Sequence, residues 1–206
     1  MISVRLHRLA ALCLGGCLIL TQAYADQVVL PDAAQPGDLI FREGTEPVSD
    51  AVMAVDGGPF SHVGMLIGQP GDWHVLHATP SEVPGRPDGV VSDTLAFFVD
   101  PKRSKRYAIY HVDADATHRT QAVQDAQTML GKPFRVADPT GTYCTVLVWN
   151  AWRQAGIDLD VPFTQLNLPL LNGEYLLPSS LLASKKLHPL TPQPQPKAQA
   201  KPSSAM

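Results

Sequence analysis

The sequence predicts a mixed α+β domain, and three observations carry that reading. An apolar segment follows a Pro36-Gly37 turn, two strand-like runs flank the breaker-rich stretch Gly68-Gln69-Pro70-Gly71, and two amphipathic segments of helix length occupy the second half of the chain.

In chain order, Asp38-Leu39-Ile40-Phe41 reads as the first strand. Ser49 is placed to cap a short helix over Ala51, Val52 and Val55. Residues 61–67 (SHVGMLI) and 73–78 (WHVLHA) then form a hairpin. Closing it with Ile67 against Asp72 sets His62 directly opposite His77, with Cβ atoms about 5 Å apart. Alternation places Val63, Met65, Ile67, Leu76 and Ala78 on one face and His62, Gly64, Leu66, Val75 and His77 on the other. Further strands are expected at 89–92 and 106–112, with a short helix at 94–98 between them. Thr117 is expected to cap a helix carrying Ala122, Ala126, Met129 and Leu130 on one face and stopping at Gly131-Lys132-Pro133. The second long helix runs over 144–155, with Leu147, Val148, Ala151 and Ala155 as its buried stripe and Gly156 as its stop.

The two ends read differently. Arg5 and Arg8 precede an apolar run over 9–20 and then Ala23-Tyr24-Ala25, the order of a secretory signal cleaved after Ala25. The run is too short for a transmembrane helix, so the mature chain is expected to have none and to be periplasmic or secreted. Leu14-Gly15-Gly16-Cys17 allows an alternative, a lipoprotein anchored through Cys17. From His188 onward the chain is rich in Pro, Ala, Gln, Lys and Ser and is expected to be a disordered tail. The expected organisation is therefore a signal at 1–25, one domain at 26–187 and a tail at 188–206.

Formal net charge is −3, and the signal contributes two arginines and no acid, so the mature chain is more acidic still. Bulk charge therefore gives no reason to expect nucleic-acid binding or adhesion to an anionic membrane. Of the three cysteines, Cys13 and Cys17 lie in the signal, which leaves Cys144 without a disulfide partner. A lone thiol in an oxidising compartment suggests chemistry.

Cys144 falls in the first turn of its helix, where unpaired N–H groups and the helix dipole favour a thiolate and can bind an oxyanion. A cysteine hydrolase also needs a base and a group that orients the base. The cross-strand pair supplies both, His62 as base and His77 as orienting residue, with Tyr143 beside the nucleophile as a substrate-binding residue. His74 faces away, and His111, His118 and His188 belong to no such group. Cys144, His62 and His77 also admit a metal site, but no fourth ligand has a recognisable spacing, so neither metal nor cofactor is expected. A noncatalytic binding module on the same groove is a further alternative.

These residues carry a resemblance. Pro36-Gly37-Asp38-Leu39-Ile40-Phe41, Ser61-His62-Val63-Gly64-Met65, Val75-Leu76-His77-Ala78 and Tyr143-Cys144-Thr145 with Leu147-Val148 resemble, in that order, the circularly permuted branch of the NlpC/P60 superfamily, the YiiX/YebB-like papain-fold cysteine hydrolases. They are similar also to the lecithin:retinol acyltransferase group. The resemblance implies a circularly permuted papain-like fold, in which the cysteine helix packs on an antiparallel sheet that carries the base. It implies Cys144 as nucleophile, His62 as base and His77 as third residue. Relatives often have glutamate where this chain has His77, and CSEL where it has Cys144-Thr145-Val146-Leu147. With export, the resemblance implies an amidase or endopeptidase acting on cell-wall peptides such as peptidoglycan stems or, as the alternative, an enzyme acting on a lipid or other acyl ester.

Overall fold

Leu39, Ile40 and Phe41 are all fully buried, so the strand they begin has apolar matter on both faces and lies inside the sheet. The computed structural model describes residues 28–138, 140–169 and 171–190. The expected signal, with Cys13 and Cys17, and the chain beyond Leu190 lie outside the described residues.

The first strand, β1 (Leu39–Gly44), is followed by α1 (Pro47–Asp56), β2 (His62–Gln69), β3 (Asp72–Thr79), β4 (Gly89–Thr94), α2 (Leu95–Phe98) and β5 (Ser104–Val112). The second half holds α3 (Ala116–Thr128), α4 (Cys144–Gln154), β6 (Thr164–Leu168), β7 (Leu171–Tyr175), α5 (Pro178–Leu182) and β8 (Leu187–Pro189). Six strands form one sheet in the order β4-β3-β2-β1-β5-β8, with every pairing antiparallel, while β6 and β7 make a separate hairpin.

Alternation sorts the core as expected. Phe41, Val63, Met65, Leu76 and Ala78 face α3 and α4, meeting Ala122, Ala126, Leu147, Val148 and Trp152. On the opposite face, Ile40, Leu66, Val75 and Ile109 meet Leu95 and Phe98 of α2 and the incoming Leu30 and Ala34. Asp38 ties the start of β1 to this frame. It accepts hydrogen bonds from Gln35 N–H at 2.8 Å and from Arg119 Nη1 of α3 at 2.7 Å.

Several local expectations are corrected. The hairpin closes with Gln69 against Asp72 and pairs Met65 with Leu76, a shift of two residues from the expected register. Pro70-Gly71 alone makes the turn, helped by positive φ at Gly68 (98°) and Gly71 (88°). A shift of two leaves every side chain on its expected face. Glu46, not Ser49, is the N-cap of α1, because Pro47 fits the first helical position. Ser49 turns inward to Ser61, with the two Oγ atoms 2.5 Å apart. Asp115, not Thr117, caps α3 by accepting from His118 N–H at 2.9 Å. Finally, the domain runs past 187. Leu187–Pro189 add to the edge of β5, and Leu190 N–H donates to Ile109 O at 2.8 Å. Proline, which lacks an N–H, is tolerated in such an edge strand.

Candidate active site

The β2–β3 ladder runs from the turn to Met65 and Leu76, and the two histidines lie beyond its end. His62 Nε2 and His77 Nδ1 are 2.8 Å apart, with the rings at 78° to each other. Gly64 makes the approach feasible, since a Cβ there would run into Val75 and come within 3.1 Å of the His77 Cβ. Phe98, fully buried, supports both rings, stacking on His62 and meeting His77 edge-on.

Four charged residues surround the pair, none of them singled out from sequence. Arg42 pairs with His62 across β1 and β2, lies over the Phe98 ring at 4.4 Å, and donates to Phe98 O at 2.9 Å and to Glu82 Oε1 at 2.5 Å. On the other side, His77 Nε2 is 3.1 Å from Asp93 Oδ2. Arg86 holds both oxygens of Asp93, at 2.6 and 3.1 Å. Asp93 reaches His77 because β4 pairs with β3 so that Val75 faces Asp93 and His77 faces Val91. Finding it from sequence required that register across the loop at 80–88.

This environment keeps both imidazoles neutral. Burial, then the Arg42 charge and His77, hold His62 well below the ordinary histidine value. Burial also lowers His77, against the opposing pull of its hydrogen bond to Asp93. For Asp93, burial acts upward, but the hydrogen bonds from His77 and Arg86 prevail and keep the carboxyl at about 2.

Cys144 begins α4, with Tyr143 as an extended N-cap whose side chain makes no capping bond. Leu176 is held by both neighbours of the cysteine, its N–H donating to Tyr143 Oη at 3.0 Å and its carbonyl accepting from Thr145 Oγ1 at 2.7 Å. The expected depression of the thiol is corrected: burial pushes Cys144 up to about 11, outweighing the N–H groups of Val63, Thr145 and Cys144 and the Arg42 charge, all of which act downward. Both shifts favour the uncharged forms, thiol and neutral imidazole.

Cys144, His62 and Tyr143 line one cavity of about 770 Å³, whose walls include Val48, Val52 and Val55 of α1 and Leu166, Leu168 and Leu171 of the β6–β7 hairpin. His77 sits behind His62. Tyr143 also borders a second, polar cavity of about 380 Å³, lined by Lys132, Arg135, Asp138 and Glu174 among others. His111 belongs instead to the Asp38–Arg119 group, and His118 pairs with Asp115. His62, His77 and Glu82 bring possible metal-ligand atoms within 4.8 Å of one another.

Residues 33–190 match a family described as permuted papain-like amidase enzymes, YaeF/YiiX, C92 family. The chain belongs to this family. It is accordingly a cysteine peptidase or amidase with a circularly permuted papain-like fold. Among solved structures, the crystal structure of metalloprotein YiiX from Escherichia coli O157:H7 is similar, with a TM-score of 0.63 and 19% identity over 77% of this chain and 97% of that one. No curated protein matches the chain.

Proposed function

We propose that this C92-family enzyme is an exported amidase that works through a Cys144 thioester, with His62 as general base and an apolar acyl group seated between α1 and the β6–β7 hairpin. The observation that carries this reading is that the thiol at an open helix start and the imidazole held by His77 line one apolar-walled cavity.

With His62 Nε2 engaged by His77, Nδ1 is the nitrogen left for the thiol. His62 Nδ1 takes the Sγ proton as sulfur attacks the carbonyl carbon, and the first N–H groups of α4 bind the oxyanion. Collapse of the intermediate expels the amine, which takes its proton from His62. Water, activated by the same imidazole, then hydrolyses the thioester. Burial favours the neutral form of both groups, so the proton moves during attack. Tyr143 forms part of the substrate wall in this reading.

The apolar walls favour a fatty or other hydrophobic acyl group, as an amide or ester. Cleavage of cell-wall peptides is the second reading, favoured by the polar cavity beyond Tyr143, whose Lys132, Arg135, Asp138 and Glu174 suit a charged peptide stem. Wild type and Cys144→Ala, incubated with N-acyl amides, acyl esters and purified muropeptides and read by mass spectrometry, decide between them. Product that survives the substitution removes Cys144 from the mechanism.

The similar YiiX protein is described as a metalloprotein. In this chain the corresponding chemistry does not fit a cation. Glu82 is already engaged by Arg42, whose charge repels a metal, and the facing nitrogens of His62 and His77 are bonded to each other. No step passes through a metal, and activity is expected to survive EDTA. Export rests on the basic, apolar and Ala-Tyr-Ala segments of the N-terminus. Mass spectrometry of the mature protein should find Asp26 at its start, whereas a lipidated Cys17 supports the lipoprotein alternative.

A further inference from the structure

We infer that His77 and Asp93 extend the base inward, so that the positive charge created when His62 takes the Cys144 proton passes to His77 and settles against the Asp93 carboxylate. This rests on the reading of His62 as base. Asp93 is a positioning residue here, since it acts only through His77.

The hydrogen-bond chain assigns every proton. An ionised carboxylate only accepts, so the bond between Asp93 Oδ2 and His77 Nε2 places a hydrogen on that nitrogen. His77 Nδ1 then carries a lone pair and accepts from His62 Nε2–H across 2.8 Å. His62 Nδ1 is left with the lone pair that a base requires. Arg86, bidentate on Asp93, fixes the carboxylate's direction and its ionisation, and so the tautomer of both rings.

Charge transfer along the chain balances. When His62 Nδ1 gains the thiol proton, its Nε2 proton moves to His77 Nδ1. His62 becomes the neutral Nδ1–H tautomer, and His77, protonated on both nitrogens, becomes an imidazolium beside Asp93. The return of both protons restores the starting state as the amine leaves. Charged groups surround the pair from several elements, Arg42 from β1, Glu82 and Arg86 from the 80–88 loop and Asp93 from β4, and the uncharged Cys144 thiol of α4 lines the same cavity as His62. Glu82 is taken up by Arg42 and lies 3.8 Å from Arg103, and Asp93 is the carboxylate hydrogen-bonded to a histidine ring of the pair. His77 is also the less strongly depressed of the two histidines, consistent with its holding the charge.

The test combines two measurements. Nitrogen NMR of the full-length Cys144→Ala protein with ¹⁵N-labelled histidine should show both His62 and His77 protonated on Nε2 and not on Nδ1 at neutral pH. His77 found as the Nδ1–H tautomer overturns the relay, and this measurement needs no substrate and no change at Asp93. In the second, Asp93→Asn lets an amide N–H donate to His77 Nε2 and reverses both tautomers, so kcat/KM should fall by about 10²–10⁴. The acid limb of its pH profile should also move to lower pH. In a His77→Glu background, which puts a carboxylate directly on His62, the same Asp93→Asn change should cost less than about threefold. Activity of Asp93→Asn within twofold of wild type, or an equal loss in both backgrounds, overturns the relay. Activity that survives His62→Ala instead removes the base on which the relay rests, while the tautomers remain a separate result.

Discussion

His62 and His77 sit diagonally across their strands, yet their facing nitrogens are within 2.8 Å, because the position beside His77 is Gly64. Their nearness thus depends on a missing side chain. Gly64→Ala would drive a methyl group into the Val75 side chain and against the His77 Cβ. A loss of about 1–3 kcal/mol in urea unfolding is expected, from overpacking between two buried strands. The variant should also lose kcat out of proportion to KM, since the base is displaced while the cavity is not.

The depressed histidines set a pH dependence. Below pH 6.5 an unfolded histidine binds a proton that folded His62 and His77 refuse, so the unfolded state gains protons and stability falls as pH drops. The slope should reach about 1.4 kcal/mol per pH unit for each histidine, until the folded values are reached. In kcat/KM the acid limb should lie below 6.5, because His62 stays a competent base there. Resting Cys144, by contrast, should react with iodoacetamide more slowly than a free thiol at pH 7–8, its rate rising towards pH 11. Equilibrium melts, rate profiles and labelling rates between pH 4 and pH 11 check each statement.

What was legible in the sequence was what depends on period rather than register. The β2–β3 hairpin was displaced by two residues, and its faces came out unchanged because side chains alternate with a period of two. Cys144 at a helix start was readable from the stripe Leu147, Val148 and Ala151. Asp93 was hidden because its place depends on how β4 returns across a loop to pair with β3, and no local pattern encodes that. The β6–β7 hairpin was missed although Leu166 and Leu168 alternate with polar residues, since Asn172-Gly173 lies within β7 and not at the reversal. The β8 edge was masked by the proline-rich composition around it. For the thiol, helix-end electrostatics pointed one way and burial the other, and only the three-dimensional enclosure says which is larger.

Leu176 offers a separable test of how the nucleophile is held. Its backbone N–H and carbonyl are satisfied by side chains on either side of Cys144. Thr145→Val keeps the shape but leaves the buried carbonyl without its donor, and Tyr143→Phe leaves the N–H without its acceptor. Each should cost about 1–3 kcal/mol in stability. If the clamp also positions the sulfur, each should lower kcat, and the double variant should cost less than the sum of the single ones because both act on one peptide segment. Thermal denaturation and initial rates on the same preparations give the comparison.

The cavity walls make the acyl-group reading testable without touching the chemistry. Leu168 is 41% exposed and lies on the β6–β7 hairpin, so a charge there can be hydrated when the cavity is empty. A long acyl chain packed against Leu168 would be stabilised by apolar burial that an aspartate cannot supply. Leu168→Asp should therefore lower kcat/KM for a long-chain N-acyl amide by about 10- to 100-fold, the equivalent of one buried aliphatic side chain. For the N-acetyl analogue, too short to reach the hairpin, the change should stay within about twofold. Equal losses on both substrates would mean that the substitution disturbs Cys144 or His62 rather than the acyl wall. If muropeptide cleavage is the faster reaction and is insensitive to Leu168→Asp but lost in Arg135→Glu, the polar cavity beyond Tyr143 is the substrate side and the cell-wall reading takes precedence.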